Sequence, residues 1–256
     1  MNRNPSKYTK ENRRILGKIQ EIYLESRKSY GSPRVHAALK RDGFSWGRHR
    51  IARIMRFAGL RALRQYYRRR GYSKAAHGRL EAKNLVKQNF EVAVPNQIWA
   101  SDITQFWTGS GWLYLAVVMD LFSRRIIGWS MKTTLREELV IDALDMAIEG
   151  RGNEVPKIHH SDQGSQYSSR ALRGRLEEHG IQPSMSHRGS CYDNAVVESF
   201  FKTLKNELIK TVRLNSREEA RSKLFEYIEV FYNRTRLHSS LGYKSPVEFE
   251  MQTTLS

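Results

Sequence analysis

Three acidic side chains stand where carboxylates need a reason to be. Asp102 falls in the middle of "IWASDITQFW", a strand-like run in which Asp is disfavoured. Trp99, Ile103 and Phe106 around it predict burial on at least one face. A buried carboxylate is costly unless it is paired or binds a metal, and no Lys or Arg occurs between Glu91 and Leu121. Asp162, in "HHSDQGSQY", falls where a short strand runs out, the place at which ligand-binding groups gather in open α/β sheets. Gly164 beside it permits close approach; taken alone, this Asp also fits an ordinary turn or helix cap. Glu198 lies on a predicted helix whose Val197, Phe201, Leu204 and Leu208 form a buried stripe, with Asn194, Glu198, Lys202 and Lys205 on the polar face beside it. By itself a Glu with a Lys four residues on is a common surface pair. As a set, three all-oxygen ligands suit hard divalent cations, Mg²⁺ or Mn²⁺. Two such ions about 4 Å apart can serve an in-line phosphoryl transfer.

Other candidates carry less. Asp120 is an alternative first ligand, although its place before "LFSRR" reads as a strand-end turn. His159 and His160 lack a Cys or a further His at ligand spacing, so they are expected to pack or to support the acids from behind.

Positioning these acids requires a sheet and a helix. The texture from Gln97 predicts strands over Ile98 to Phe106, Trp112 to Asp120 and Ile126 to Met131, with short turns that suggest an antiparallel meander. A helix from Glu137 to Glu149, a strand from Lys157 to Ser161, a helix from Ser168 to His179 and the strand-like "IQPSMS" follow. Two closing helices are predicted over Asn194 to Lys210 and Ser216 to Arg234. This is the order of a ribonuclease-H-like fold, a mixed sheet with flanking helices, and order alone leaves several α/β arrangements open.

The first 60 residues have a different texture. Ile15, Ile19, Ile22 and Tyr23 recur at helical spacing from Asn12 to Ser26. Ser32 and Pro33 suit a helix start, with the Ser oxygen as cap, and Gly43 suits its end. A third helix, Gly47 to Phe57, turns Ile51, Ile54 and Met55 inward and leaves Arg48, Arg50, Arg53 and Arg56 for the outside. Two helices and a tight turn, the second rich in Arg, make a helix-turn-helix; a plain three-helix bundle with a solvated basic face is the alternative. Residues 1–60 are therefore expected to be a small all-α DNA-binding module, 61–90 a basic linker and 91–256 a catalytic core with C-terminal helices. In the linker, "RQYYRRRGY" sets Tyr66, Tyr67 and Tyr72 among Arg68, Arg69 and Arg70, which are expected to touch phosphate.

Charge supports this division. The chain of 256 residues carries a net charge of +18. Residues 1–90 hold 24 Lys and Arg against 5 Asp and Glu, a net of +19, and the remainder holds 20 against 21, a net of −1. Such a basic module fits a polyanionic partner. The single Cys191 excludes an internal disulfide and a cysteine-based zinc site. No apolar run is long enough for a membrane helix and the start is polar, so a cytoplasmic location is expected.

Several motifs together resemble the insertion-sequence-three group of bacterial transposases, specifically the second-frame (OrfB) product with its retroviral-integrase-like core. "WASDIT" is similar to the segment holding the family's first acid, "HHSDQGSQY" the second and "SHRGSCYDNAVVESFFKTLKNEL" the third, with 35 residues between Asp162 and Glu198, the family's spacing. "YGSPRVHAALKRDG", "RIARIMRFAGLRA" and "YNRTRLHSSLGYKSPVEF" also match, so the likeness extends over nearly the whole chain after Asn12. The resemblance implies a DDE transposase: Asp102, Asp162 and Glu198 hold two Mg²⁺ or Mn²⁺ ions, water cleaves DNA at the element's end, and the freed 3′ hydroxyl attacks a second phosphodiester. It further implies DNA contact by Lys205, and the same role is expected of Lys202, Asn194, Gln166 and Tyr167. Implied partners are terminal inverted repeats, target DNA, further copies of the chain and the upstream-frame (OrfA) protein. The chain begins without the tyrosine-rich stretch that often precedes the module in relatives, which suggests the second-frame product alone. Two rival expectations are a ribonuclease-H-like metal nuclease that never rejoins strands and a DNA-binding regulator without catalysis; possession of all three acids speaks against the latter.

Overall fold

The apolar stripes decide which faces meet. The computed structural model describes residues 6–63, 82–86, 92–152, 154–186 and 194–254. It divides into two units, Met1–Tyr66 with Leu237–Lys244, and Tyr67–Arg236 with Ser245–Ser256.

In the first unit, helices α1 (Lys7–Glu25), α2 (Ser32–Arg41) and α3 (Arg48–Phe57) bury the predicted side chains Ile15, Ile19, Ile22, Val35, Leu39, Ile51, Ile54 and Met55. Helix α1 starts before the expected Asn12, because Ser6 Oγ accepts from Thr9 N and caps it there. Ser32 is not the cap of α2. Gly31 holds that position, and Ser32 with Pro33 forms the first turn. Gly43 takes φ +83° just past the helix end, a left-handed conformation that glycine adopts without strain. Arg50 does not face outward as expected. Its guanidinium bonds Glu11 Oε2 (2.7 Å) and Asn12 Oδ1 (3.0 Å) and lies 4.8 Å from the Tyr8 ring centre, fastening α3 to α1.

The short segment Leu237–Lys244 belongs to this helical unit, although it was expected with the core. Leu237 joins the same apolar cluster and its N–H donates to the buried Tyr30 hydroxyl (2.6 Å). A bridge between His238 and Lys244 and a 3-10 turn at Ser239–Leu241 close the loop.

The second unit is built on a five-stranded sheet, β1 (Ile98–Thr108), β2 (Gly111–Asp120), β3 (Ile126–Lys132), β4 (Ile158–Ser161) and β5 (Gln182–Met185). Its order is β3-β2-β1-β4-β5. The β1-β2-β3 meander is antiparallel, and β4 and β5 add on in parallel. Period-two alternation gives the sheet two apolar faces. One meets α4 (Glu138–Gly150) and α5 (Arg170–Glu178) through Trp99, Val118, Leu144 and Leu172. The other meets α6 (Ala195–Leu204) and α7 (Arg217–Phe225) through Leu115, Val117, Phe200 and Leu224. This is the mixed sheet with flanking helices anticipated from element order. Gly128 lets β3 approach α4, since a Cβ there would stand 2.1 Å from Ala143 O. Residues 82–86, expected in the linker, lie in this unit, where Val86 is buried and Leu85 N donates to Ser184 Oγ (3.0 Å).

Both predicted C-terminal helices change pitch partway. α6 continues as a π-turn, Lys205–Ile209, and α7 as another, Glu226–Tyr232. The first turns Glu207 into the core, where Arg236 Nε (2.9 Å) and Nη2 (2.8 Å) and the Tyr227 hydroxyl (2.8 Å) bond its carboxylate. A further helix, α8 (Pro246–Thr254), was not anticipated. Its signal is in the sequence: Ser245 and Glu248 exchange side-chain to backbone hydrogen bonds, both 3.3 Å, as a capping box, with Pro246 at the first position. Among the described residues no helix is long and apolar enough to cross a membrane.

Candidate active site

The site lies where β1 and β4 run side by side. Their parallel register pairs Trp99 with His159 and Ala100 with His160. Continued by two residues, it sets Asp102 level with Asp162, and neighbouring strands stand about 4.8 Å apart. Asp102 Oδ1 accepts from Ile103 N (2.7 Å). Asp162 follows the last residue of β4, and its Oδ1 accepts from Gly164 N (2.8 Å). A Cβ at Gly164 would stand 2.9 Å from that oxygen, so the glycine makes room for the carboxylate.

Glu198 comes from the first turn of α6. The buried Asn194 Nδ2 donates to Ser101 O (3.1 Å), and Asn194 O accepts from Glu198 N (3.1 Å). Asn194 therefore ties the start of α6 to the residue before Asp102. This corrects its expected role as a DNA contact: the side chain is 6% exposed and spent on β1.

Electrostatics place the three acids in one neighbourhood. Burial, then the charge of Asp162 and the charge of Glu198, push the Asp102 carboxyl up to about 8, against the downward pull of the Ile103 amide and Lys205. Lys205 Nζ lies 5.6 Å from the Phe106 ring centre, and Phe106 follows Asp102 by two strand repeats on the same face. The donor set suits a hard divalent cation, because it is all oxygen. Two buried polar atoms near it, Asn194 Oδ1 and the Tyr167 hydroxyl, have no hydrogen-bond partner among the described residues, which fits a site completed by something further. Among the described residues no three His, Cys, Asp or Glu side chains form a group that could hold a metal ion.

The imidazoles support the floor of the site. His159 Nε2 shares a 2.8 Å hydrogen bond with Ser101 Oγ, and His160 contacts Ser184 Oγ (2.9 Å) and Ser186 Oγ (3.3 Å). Burial, with His160 adjacent, brings His159 down to about 4, so it is neutral near pH 7. Asp120 is taken out of contention. Its carboxylate accepts from Asn96 N (3.0 Å) and Phe122 N (2.8 Å) and pairs with Arg151 (3.3 Å), which also bonds Glu250.

Of the expected DNA contacts, Lys202, Arg48, Arg53 and Arg56 are exposed and Lys205 is half-buried at the acids. Gln166 is half-buried and donates to Leu135 O (3.1 Å). Tyr167 is 4% exposed, so its ring is unavailable to DNA. Arg68, Arg69, Arg70, Tyr67, Tyr72 and Cys191 lie outside the described residues.

Comparison with known proteins bears on this geometry. Residues 93–191, and separately 179–246, match integrase core domain families, and residues 10–70 match an HTH-like domain. The chain is 40% identical over 253 residues to the transposase for insertion sequence element IS904 of Lactococcus lactis subsp. lactis, covering 98% of each. It is 44% identical over 232 residues to the transposase InsF for insertion sequence IS3A of Escherichia coli K12, covering 91% of this chain and 80% of that one. Among solved structures, a simian T-cell lymphotropic virus intasome in complex with PP2A regulatory subunit B56 gamma aligns at a TM-score of 0.52 and 18% identity, covering 84% of this chain and 69% of that one. That likeness concerns fold. An integrase core with the acids on β1, just after β4 and on α6, joined to an HTH-like unit and matched over more than nine-tenths of its length by two insertion-sequence transposases, assigns this chain to the IS3 family of DDE transposases.

Proposed function

We propose that the chain cleaves DNA at the ends of an insertion sequence and joins the freed 3′ end to target DNA, with Asp102, Asp162 and Glu198 as the catalytic acids. The observation that carries this reading is the parallel pairing of β1 with β4, which brings Asp102 level with Asp162, with the start of α6 tied beside them by Asn194, within an integrase core. Two Mg²⁺ or Mn²⁺ ions held by these carboxylates would supply Lewis-acid stabilisation of the phosphoryl transfer. The chain's own residues do the rest. The Ile103 amide fixes one Asp102 oxygen, Gly164 leaves space for Asp162, and Asn194 holds the Glu198 helix against β1. Lys205, anchored over Phe106 beside Asp102, presents positive charge to the scissile phosphate, and Lys202 meets the flanking backbone. Arg48, Arg53 and Arg56 on α3, with Arg68 to Arg70, grip duplex phosphates. The working partners are terminal inverted repeats, target DNA, other copies of the chain and the upstream-frame protein, in a cytoplasmic setting.

A labelled, pre-cleaved terminal oligonucleotide incubated with target duplex and Mg²⁺ tests the reading. Joined products, lost in Asp162→Asn with duplex binding retained, are expected. Hydrolysis without joining would leave a nuclease instead.

A further inference from the structure

The hairpin of β1 and β2 ends in an aromatic surface that the chemistry above does not use. Trp107 and Trp112 are direct cross-strand partners, and Gln105 pairs with Tyr114 one repeat back, so alternation puts all four side chains on one face of the sheet. Further along the strands this face packs on α4 through Val118 and Leu144. At the turn it is open: Trp107 is 63% and Trp112 42% exposed, and their rings meet edge to face with centres 5.2 Å apart.

The backbone beneath these rings is firmly held. Thr108 Oγ1 donates to Gly111 O (2.7 Å) and accepts from Ser110 N (3.2 Å), and Gly109 N donates to Leu214 O (2.9 Å). A Cβ on Gly109 would collide with Asn215 O. The segment behind the turn supplies cations: Arg213 is exposed, and Arg217 Nε donates to Trp112 O (3.3 Å). No acidic residue occurs from Gln105 to Leu115. Opposite Tyr114 on β3, Lys132 pairs with Asp142 (2.7 Å). Three residues beyond Lys132, Leu135 O accepts from Gln166 Nε2 (3.1 Å), so the open face borders the turn that carries Asp162. Along β1 itself, Trp107 stands five residues, about 17 Å, past Asp102.

We propose that this face is a stacking platform for unpaired bases of the DNA that the enzyme processes, with Arg213 and Arg217 beside it taking the phosphates. Every base offers a π-face to an exposed aromatic ring, and a cationic rim without acids selects a polyanionic strand. The occupant is single-stranded, because bases within a duplex already stack on one another and must be splayed out to reach a ring. This role needs the core to act on DNA and is independent of which residues hold the ions.

The test compares a labelled thymidine oligonucleotide with an abasic one of equal length, so that phosphate contacts, those of the basic first third included, cancel. Affinity is read by fluorescence anisotropy with the full chain in EDTA. Wild type is expected to prefer the base-bearing strand about tenfold. Trp107→Ala, Trp107→Leu and the double variant Trp107→Ala with Trp112→Ala should lose that preference, whereas Trp107→Phe should keep most of it. All should bind the abasic strand as wild type does. No preference in wild type, or an equal preference in every variant, overturns the proposal. Equal weakening on both oligonucleotides overturns it too, since stacking cannot act without a base. So does a fall in oligomeric mass on light scattering in the tryptophan variants with base preference intact, which would make the face a contact between copies. Strand joining is measured separately, in the assay with Asp162→Asn, so the platform and the acid assignment can fail independently.

Discussion

Replacing Asp102 by Asn should stabilise the cation-free protein, and increasingly so as pH rises. Burial together with the Asp162 and Glu198 charges raises the Asp102 carboxyl to about 8 in the folded chain, against about 3.9 unfolded. Between these values the folded state keeps a proton that the unfolded state has released, so stability falls with rising pH throughout the window from about 4 to about 8. Each pH unit costs about 1.4 kcal/mol. From pH 5 to pH 8 the loss is on the order of 4 kcal/mol. Asn is close in size to the protonated acid and does not titrate. At pH 5 the variant should therefore already be more stable than wild type by about 1.5 kcal/mol, and at pH 8 that gap should be wider by the further 4 kcal/mol or so. Urea unfolding of both proteins in EDTA at the two pH values measures it, and the difference cancels groups common to both, His159 among them. A stability gap at pH 8 no larger than at pH 5 would refute the argument that Asp102 is buried among like charges.

Three further outcomes follow from individual contacts. Glu207→Gln leaves Arg236 buried without its full counter-charge, and breaking such a pair costs about 3–5 kcal/mol, readable by the same unfolding experiment. Gly164→Ala places a methyl group 2.9 Å from Asp162 Oδ1 and should lower DNA cleavage severalfold while the melting temperature moves little; full activity would show that this carboxylate has room to spare. Arg53→Ala with Arg56→Ala should flatten the salt dependence of duplex binding by about 0.9 per lost phosphate contact, whereas Arg50→Ala, which breaks the bonds to Glu11 and Asn12, should lower the melting temperature of the first unit.

The sequence disclosed what short-range pattern can carry. The strands, the faces of α1, α3 and α6, and the out-of-place acids Asp102 and Asp162 were all visible because alternation, periodicity and an unpaired charge in an apolar run are local properties. What escaped depends on partners distant in the chain. Arg50 reads as one more surface arginine until α1 supplies Glu11. Asn194 reads as a polar-face amide until β1 supplies the Ser101 carbonyl. Leu237 has no local stripe to announce it, and its place is decided by Tyr30, some two hundred residues earlier. Tyr167, expected on DNA, is buried because the turn after β4 folds back over His159. Helix α8 is different: Ser245, Pro246 and Glu248 stated its beginning, and the capping box was there to be read.

The central claim is that Asp102, Asp162 and Glu198, from three separate elements, converge on the same ions. Fe²⁺ substituted for the native cation, with hydrogen peroxide as oxidant and ascorbate to reduce the Fe³⁺ formed, generates hydroxyl radicals that cut the backbone beside the metal, and mass mapping of the fragments locates it. The account predicts cuts clustered around residues 102, 162 and 198 together, suppressed by excess Mg²⁺ and absent in Asp162→Asn. Cuts confined to one of these segments, or falling elsewhere in the chain, would contradict it.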